Sequence, residues 1–113
     1  MPLVSLIIPA YNAEKYLRRC LNSAMEQTFR DMEIIVINDG STDPTLQICR
    51  EYEQMDERFH VIDKANTGVS DSRNQAIRMA AGKYLQFMDS DDWLTRDATE
   101  SLVYAAEKYD CDL

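Results

Sequence analysis

An apolar, strand-like run followed by a polar cluster recurs four times along this chain of 113 residues, with helix-period segments between. That alternation restricts the chain to a small set of folds. Leu3–Ile8 (LVSLII) is an apolar run, broken only by Ser5, up to Pro9, as a strand buried on both faces is. Glu33–Ile37 (EIIVI) is short and β-branched, His60–Ile62 is weaker, and Tyr84–Met88 makes the fourth run. The first helix is predicted from Asn12 as cap, with Tyr16, Leu17, Cys20, Leu21, Ala24 and Met25 as its apolar stripe. Asp43 and Pro44 suit the start of a second helix with Leu46, Cys49, Tyr52 and Met55 on its inner face. A third runs from about Val69 to Ala81 and is closed by Gly82. Thr95 caps a last helix whose face is Ala98, Leu102, Ala105 and Tyr109.

Strands and helices alternating through short connections imply an α/β, Rossmann-like parallel sheet with right-handed crossovers and helices on both faces. Ligands of such sheets bind outside the carboxyl ends of the strands. Each unusual polar cluster falls there: PAYN, NDGSTD, DKANTG and DSDD follow the four runs in order. The connections at the other end, QTFRDM and EQMDER, read as solvated turns. The chain stops at YDCDL, where Cys111 and Leu113 read as the start of a fifth strand, so the sheet is expected to be truncated at its C-terminal side. An open edge of that kind would also offer pairing with a second copy, a homodimer.

A hydrophobic fraction of 45% and a charged fraction of 28% are those of a globular chain with one core. A net charge of −8 argues against a nucleic-acid surface or an anionic membrane patch and is compatible with a cation site. No apolar run reaches bilayer length and no basic-then-apolar leader opens the chain, so the expected compartment is the cytoplasm, with peripheral attachment to the inner membrane face as a variant. Cys20, Cys49 and Cys111 form no CxxC pair and read as free thiols. His60 has no second His or Cys near it with which to hold zinc.

In DSDD, Asp89, Asp91 and Asp92 crowd carboxylates that suit a hard divalent cation, magnesium or manganese, shared with substrate phosphates. The same cluster equally suits helix capping. An EF-hand loop would require Asp or Asn and then Gly where Trp93 and Leu94 stand. An aspartate-nucleophile phosphatase would carry its motif on the first strand. Asp39 and Gly40 make either a tight turn or a contact to a base or ribose. Gly68 followed by Arg73 reads as a solvated helix start or as an anion site. With Gly40, Gly68 and Gly82 as its only glycines, the chain can write neither a Walker A loop nor G-x-G-x-x-G. A nucleotide bound here would need another group to neutralise its diphosphate, and a metal on Asp89 and Asp91 would do so.

Taken together, VSLIIPAYNAEKYLRRCLNSAMEQTFRDMEIIVINDGSTDPT and NTGVSDSRNQAIRMAAGKYLQFMDSDDW resemble the family 2 inverting glycosyltransferases of the GT-A fold, from about Val4 to Trp93 and loosely into the last helix. The resemblance implies that Pro9, Ala10 and Tyr11 line the base pocket, with Asn12, Gly68 and Ser90 among the donor contacts. Asp39 would meet uracil or an equivalent base, and Arg73 would lie near base and diphosphate. Asp91 would coordinate the divalent cation, with Asp89 as second ligand near ribose or sugar and Asp92 in support. Asn38 and Ser72 depart from the family pattern, which often has Asp and Ala there. The implied donor is a nucleotide-diphosphate sugar, a UDP-sugar first, and the acceptor a saccharide or lipid-linked hydroxyl. The catalytic base and the acceptor-binding half are expected beyond Leu113.

Overall fold

The computed structural model of the chain describes residues 2–109. Its elements follow one another as β1 (Val4–Ala10), α1 (Glu14–Met25), β2 (Met32–Asp39), α2 (Thr45–Met55), β3 (Phe59–Lys64), α3 (Val69–Met79), β4 (Tyr84–Phe87) and α4 (Ala98–Tyr109). The four strands form one parallel sheet in the order β3-β2-β1-β4. The chain therefore builds outward through β2 and β3, then returns to the far side of β1. Right-handed crossovers that reverse direction must change faces.

The packing obeys that rule. Val4, Leu6 and Ile8 of β1 pack in one cluster with Leu17, Leu21, Ile48, Tyr52, Val103 and Ala106, which puts α1, α2 and α4 on one face. Ile7, Ile35 and Ile37 pack with Ala76 of α3 on the other. Successive residues of β1 thus face opposite sides of the sheet, which is why LVSLII is apolar apart from Ser5, whose buried hydroxyl donates to Glu33. Within the first cluster, Tyr52 and Phe59 meet as a tilted aromatic pair with centroids 5.8 Å apart.

Several local expectations give way to tertiary contacts. Asn12 does not cap α1: it adopts φ 46, and its side-chain oxygen accepts from the Thr42 amide at 2.8 Å. The open end of α1 is satisfied from the next loop instead. Thr45 Oγ1 accepts from the Ala13 amide at 2.8 Å, and Asp43 Oδ2 accepts from the Glu14 amide at 3.2 Å. Asp43 Oδ1 also accepts from the Thr45 amide at 3.0 Å, so one carboxylate serves two helices. Tyr16 is exposed, and so is Met55; the buried face of α2 is Thr45, Ile48, Cys49 and Tyr52.

Gly82 is not a left-handed cap. Helix α3 ends at Met79 with Ala80 extended, and Gly82 is required for another reason: a Cβ there would lie 2.6 Å from the Ser5 amide nitrogen. The buried face of α4 is Thr99, Val103 and Ala106, while Leu102 and Tyr109 are exposed. Buried Gln27 fixes that register, accepting from the Thr99 amide at 2.9 Å and donating to the Thr95 carbonyl at 2.7 Å. Cys111 and Leu113, read as the start of a fifth strand, lie outside the described residues.

Candidate donor-binding site at the carboxyl edge

The parallel register brings the carboxyl ends of all four strands to one edge, with Ala10 beside Asn38 and Asp39 beside Lys64. Gly40 has φ 69, and a Cβ on it would lie 2.6 Å from the Asn66 amide nitrogen; glycine lets the loops after β2 and β3 touch. Asp39 is only 3% exposed. Its Oδ1 accepts from Lys64 Nζ at 2.6 Å and from the Thr67 amide at 2.9 Å, and its Oδ2 accepts from the Gly68 amide at 3.0 Å. Burial pushes the Asp39 carboxyl up, but the bonds from Lys64, Thr67 and Gly68 outweigh it and hold the group below the usual 3.8. The Gly68 N–H is thus already directed at a carboxylate of this chain.

The DSDD segment turns directly off β4, with the Asp92 amide donating to the Asp89 carbonyl at 3.1 Å. Helix α1 holds this turn by its backbone. Arg19 Nη2 donates to the Asp91 carbonyl at 3.0 Å, the Cys20 thiol to the Asp89 carbonyl at 3.6 Å, and the Leu94 amide to Ser23 Oγ at 3.0 Å. The carboxylates remain outward: Asp89, Asp91 and Asp92 are all exposed, and one oxygen from each lies within 4.8 Å of the others. Among the described residues no backbone N–H is bonded to any of the three, which removes the helix-capping explanation. Three hard oxygen donors at that spacing, open to water and phosphate, fit a magnesium or manganese ion. Arg73 Nη2 reaches Asp89 Oδ1 at 3.1 Å, so a cation from α3 already leans on the cluster.

Two hollows adjoin here. One of about 260 Å³ lies between Pro9, Ala10 and Tyr11 on one side and Asp39, Val69 and Ser72 on the other. The second, of about 540 Å³, runs along Tyr11, Asn12, Lys15 and Tyr16. Tyr11, Asp89 and Ser90 line both, so the buried acceptor Asp39 and the exposed carboxylates of Asp89 and Asp91 face adjoining space, while Asp92 lines neither hollow. A separate hollow of about 510 Å³ between α1 and Trp93 touches none of the motif carboxylates.

Of the residues singled out in the sequence, Pro9, Ala10, Tyr11, Asn12, Asp39, Asp89, Ser90 and Asp91 all line these two hollows. Gly68 and Arg73 join them through their bonds to Asp39 and Asp89. The sequence alone did not single out Lys64 and Thr67, which position Asp39, or Arg19, which anchors the turn. The one available signal was the place of DKANTG after a strand. Nothing local reveals that Arg19 reaches a residue far along the chain.

The parallel α/β sheet with helices on both faces is of the type found in the GT-A glycosyltransferases, and solved glycosyltransferases superpose on it. TarS of S. aureus, in a crystal structure of residues 1–349 with UDP-GlcNAc, matches with TM-score 0.89 and 33% identity over 96% of this chain and 32% of that one. The mannosyltransferase PcManGT of Pyrobaculum calidifontis, solved with GDP-Man and Mn2+, matches with TM-score 0.85 and 25% identity over 93% of this chain and 32% of that one. Residues 5–113 match the family model described as glycosyl transferase family 2, and the chain belongs to that family. The glycosyltransferase GlyA of Streptococcus pneumoniae is 43% identical over 110 residues, 97% of this chain and 16% of GlyA. The chain spans between about a sixth and a third of the length of these relatives.

Proposed function

We propose that these residues form the donor-binding half of an enzyme that moves a sugar from a nucleotide diphosphate to an acceptor hydroxyl with inversion. The observation that carries this reading is the pair of adjoining hollows that link buried Asp39 to Asp89 and Asp91, beside which Asp92 completes the carboxylate cluster. The base enters the narrow cleft against Pro9, Ala10 and Tyr11 and meets Asp39, which is held ionised and able only to accept hydrogen bonds. The diphosphate lies toward the trio, where Asp91 and Asp89 hold a divalent cation and Asp92 supports them. When bound, that ion supplies Lewis-acid stabilisation of charge on the leaving diphosphate. Arg73 adds charge-assisted hydrogen bonding on the same side.

In the displacement, the acceptor oxygen bonds to the anomeric carbon as the bond from that carbon to the diphosphate oxygen breaks. The acceptor proton passes to a general base. The site carboxylates described above are poor candidates for that base. Asp39 is buried under three donors, Asp89 is paired with Arg73, and Asp91 and Asp92 belong to the cation cluster. The base and the saccharide or lipid-linked acceptor site therefore belong to parts of the enzyme outside these residues.

A second reading, a nucleotide-binding unit without catalysis of its own, draws support from the short span relative to GlyA and TarS. Titrating the chain with UDP, with and without manganese, tests the donor site. Affinity that rises with manganese and falls in Asp91→Asn supports it, and UDP binding indifferent to both would sink it. Transfer assays with UDP-sugars then separate the two readings, the 113-residue chain alone being expected to turn over no acceptor.

A further inference from the structure

We propose that Ser72 is a specificity-determining residue of the donor cleft: its hydroxyl donates to a ring carbonyl adjacent to the ring N–H that Asp39 accepts, so the cleft selects a uracil-type base. The inference rests on the nucleotide reading above and deepens it. Ser72 lies in the first turn of α3 and is fully buried, with its amide donating to the Gly68 carbonyl at 3.1 Å. It lines the 260 Å³ cleft together with Asp39, yet its Oγ has no hydrogen-bond partner. Buried polar groups are nearly always paired, because a desolvated, unpaired hydroxyl is unfavourable. Among the described residues only Asn38 Oδ1 shares that condition, and Asn38 does not line the cleft. An orphan hydroxyl at the wall of an open cleft is a donor whose partner comes from outside the chain.

The base follows from counting lone pairs. Asp39 Oδ1 already accepts from Lys64 and Thr67, whereas Oδ2 accepts only from Gly68, which leaves one further acceptor position. Cytosine and adenine present a bare ring nitrogen on the corresponding edge and meet that carboxylate with repulsion. Guanine presents a ring N–H beside an exocyclic amino group and needs two acceptors. Uracil presents one ring N–H flanked by carbonyls, matching one remaining acceptor and one neighbouring donor.

The test measures binding of UDP, CDP and GDP, each with manganese, to the chain as wild type, Ser72→Ala and Asp91→Asn, by calorimetry or NMR titration. Wild type is expected to prefer UDP over both others by about tenfold or more. Ser72→Ala is expected to weaken UDP about five- to tenfold, the worth of one hydrogen bond, while leaving CDP unchanged. Its melting temperature stays level or rises, because the group removed has no partner in the unliganded fold. Undiminished UDP affinity in Ser72→Ala, or GDP binding as tight as UDP, overturns the inference while sensitivity to Asp91→Asn preserves the nucleotide reading. A folded wild type that binds none of the three overturns both.

Discussion

Lys64 Nζ stands 2.6 Å from Asp39 Oδ1, an ion pair between residues that face each other in register at the ends of β3 and β2. Their side chains are 14% and 5% exposed, so the pair is screened little by water. Lys64 also donates to the Ala65 carbonyl at 2.9 Å and to Thr67 Oγ1. One ammonium thus holds the loop before α3 against the end of β2. Asp39→Asn leaves that ammonium buried without its counter-charge and is expected to cost about 3 kcal/mol. Urea denaturation measures the loss, and UDP affinity should fall with it; an unchanged midpoint would show that the pair does not organise the loop.

Acid should dismantle the same region. The carboxyl of Asp39 is held below its ordinary 3.8 as above. Asp43 is likewise lowered, burial being outweighed by bonds from Thr45 and Glu14. Asp56 is lowered chiefly by its bonds from Arg58. A carboxylate with a depressed folded pKa contributes stability that is fully present above its unfolded pKa and disappears as pH falls through the folded value. The melting temperature is therefore expected to be level from neutrality down to about pH 5 and to drop steeply below about pH 4. A melting temperature independent of pH between 5 and 2.5, on the ordinary carboxyl scale, would contradict these assignments.

Alkali acts through the thiols. Burial pushes both Cys20 and Cys49 up from 9.0 to about 12. A group with a raised folded pKa contributes stability present below its unfolded pKa and lost as pH rises toward the folded one. Stability should accordingly decline from pH 9.0 toward 12. At neutral pH neither thiol should react with a disulfide reagent until the chain unfolds. Rapid labelling of Cys20 or Cys49 in the native chain, located by mass spectrometry, is the contrary result.

Asp43→Ala removes acceptors from the start of two helices and is expected to destabilise by about 2 kcal/mol, roughly one for each cap. Thr45→Val strips the Ala13 acceptor and the hydroxyl that donates to Asp43 Oδ1, so the double variant should lose less than the sum of the two. Strict additivity in thermal melts would show that the two caps act independently.

Asp91→Asn and Asp89→Asn should change binding without changing the fold. Both residues are exposed, and their loop hangs on backbone carbonyls rather than on these side chains. Stability is expected to stay within about 0.5 kcal/mol of the parent, while manganese-dependent UDP affinity is largely lost. A large fall in melting temperature instead would assign the carboxylates a structural role.

The alternation of apolar runs and polar clusters was enough to infer a parallel sheet, both faces covered, with the polar clusters gathered at the strand ends. It was enough because strand and helix periods are local: LVSLII can be satisfied only by burial on two sides, and DSDD cannot lie inside a strand. The DSDD turn itself stood out in the sequence, but there it suited helix capping as well as a cation; that its exposed carboxylates accept from no backbone N–H among the described residues appears only in the fold.

Where the chain's length separates partners, only the folded molecule could decide. Asn12 looked like a cap because local pattern cannot see Asp43 and Thr45, which arrive at α1 through β-strand pairing and take that work. Helix α4 turned by about one position because Gln27, a distant residue, satisfies Thr99 inside the core. The pairing of Asp39 with Lys64 and the orphaned hydroxyl of Ser72 likewise depend on which strands lie side by side. Hydrophobic period sets which elements form, whereas the buried polar atoms find partners only once the order β3-β2-β1-β4 has brought separate loops together.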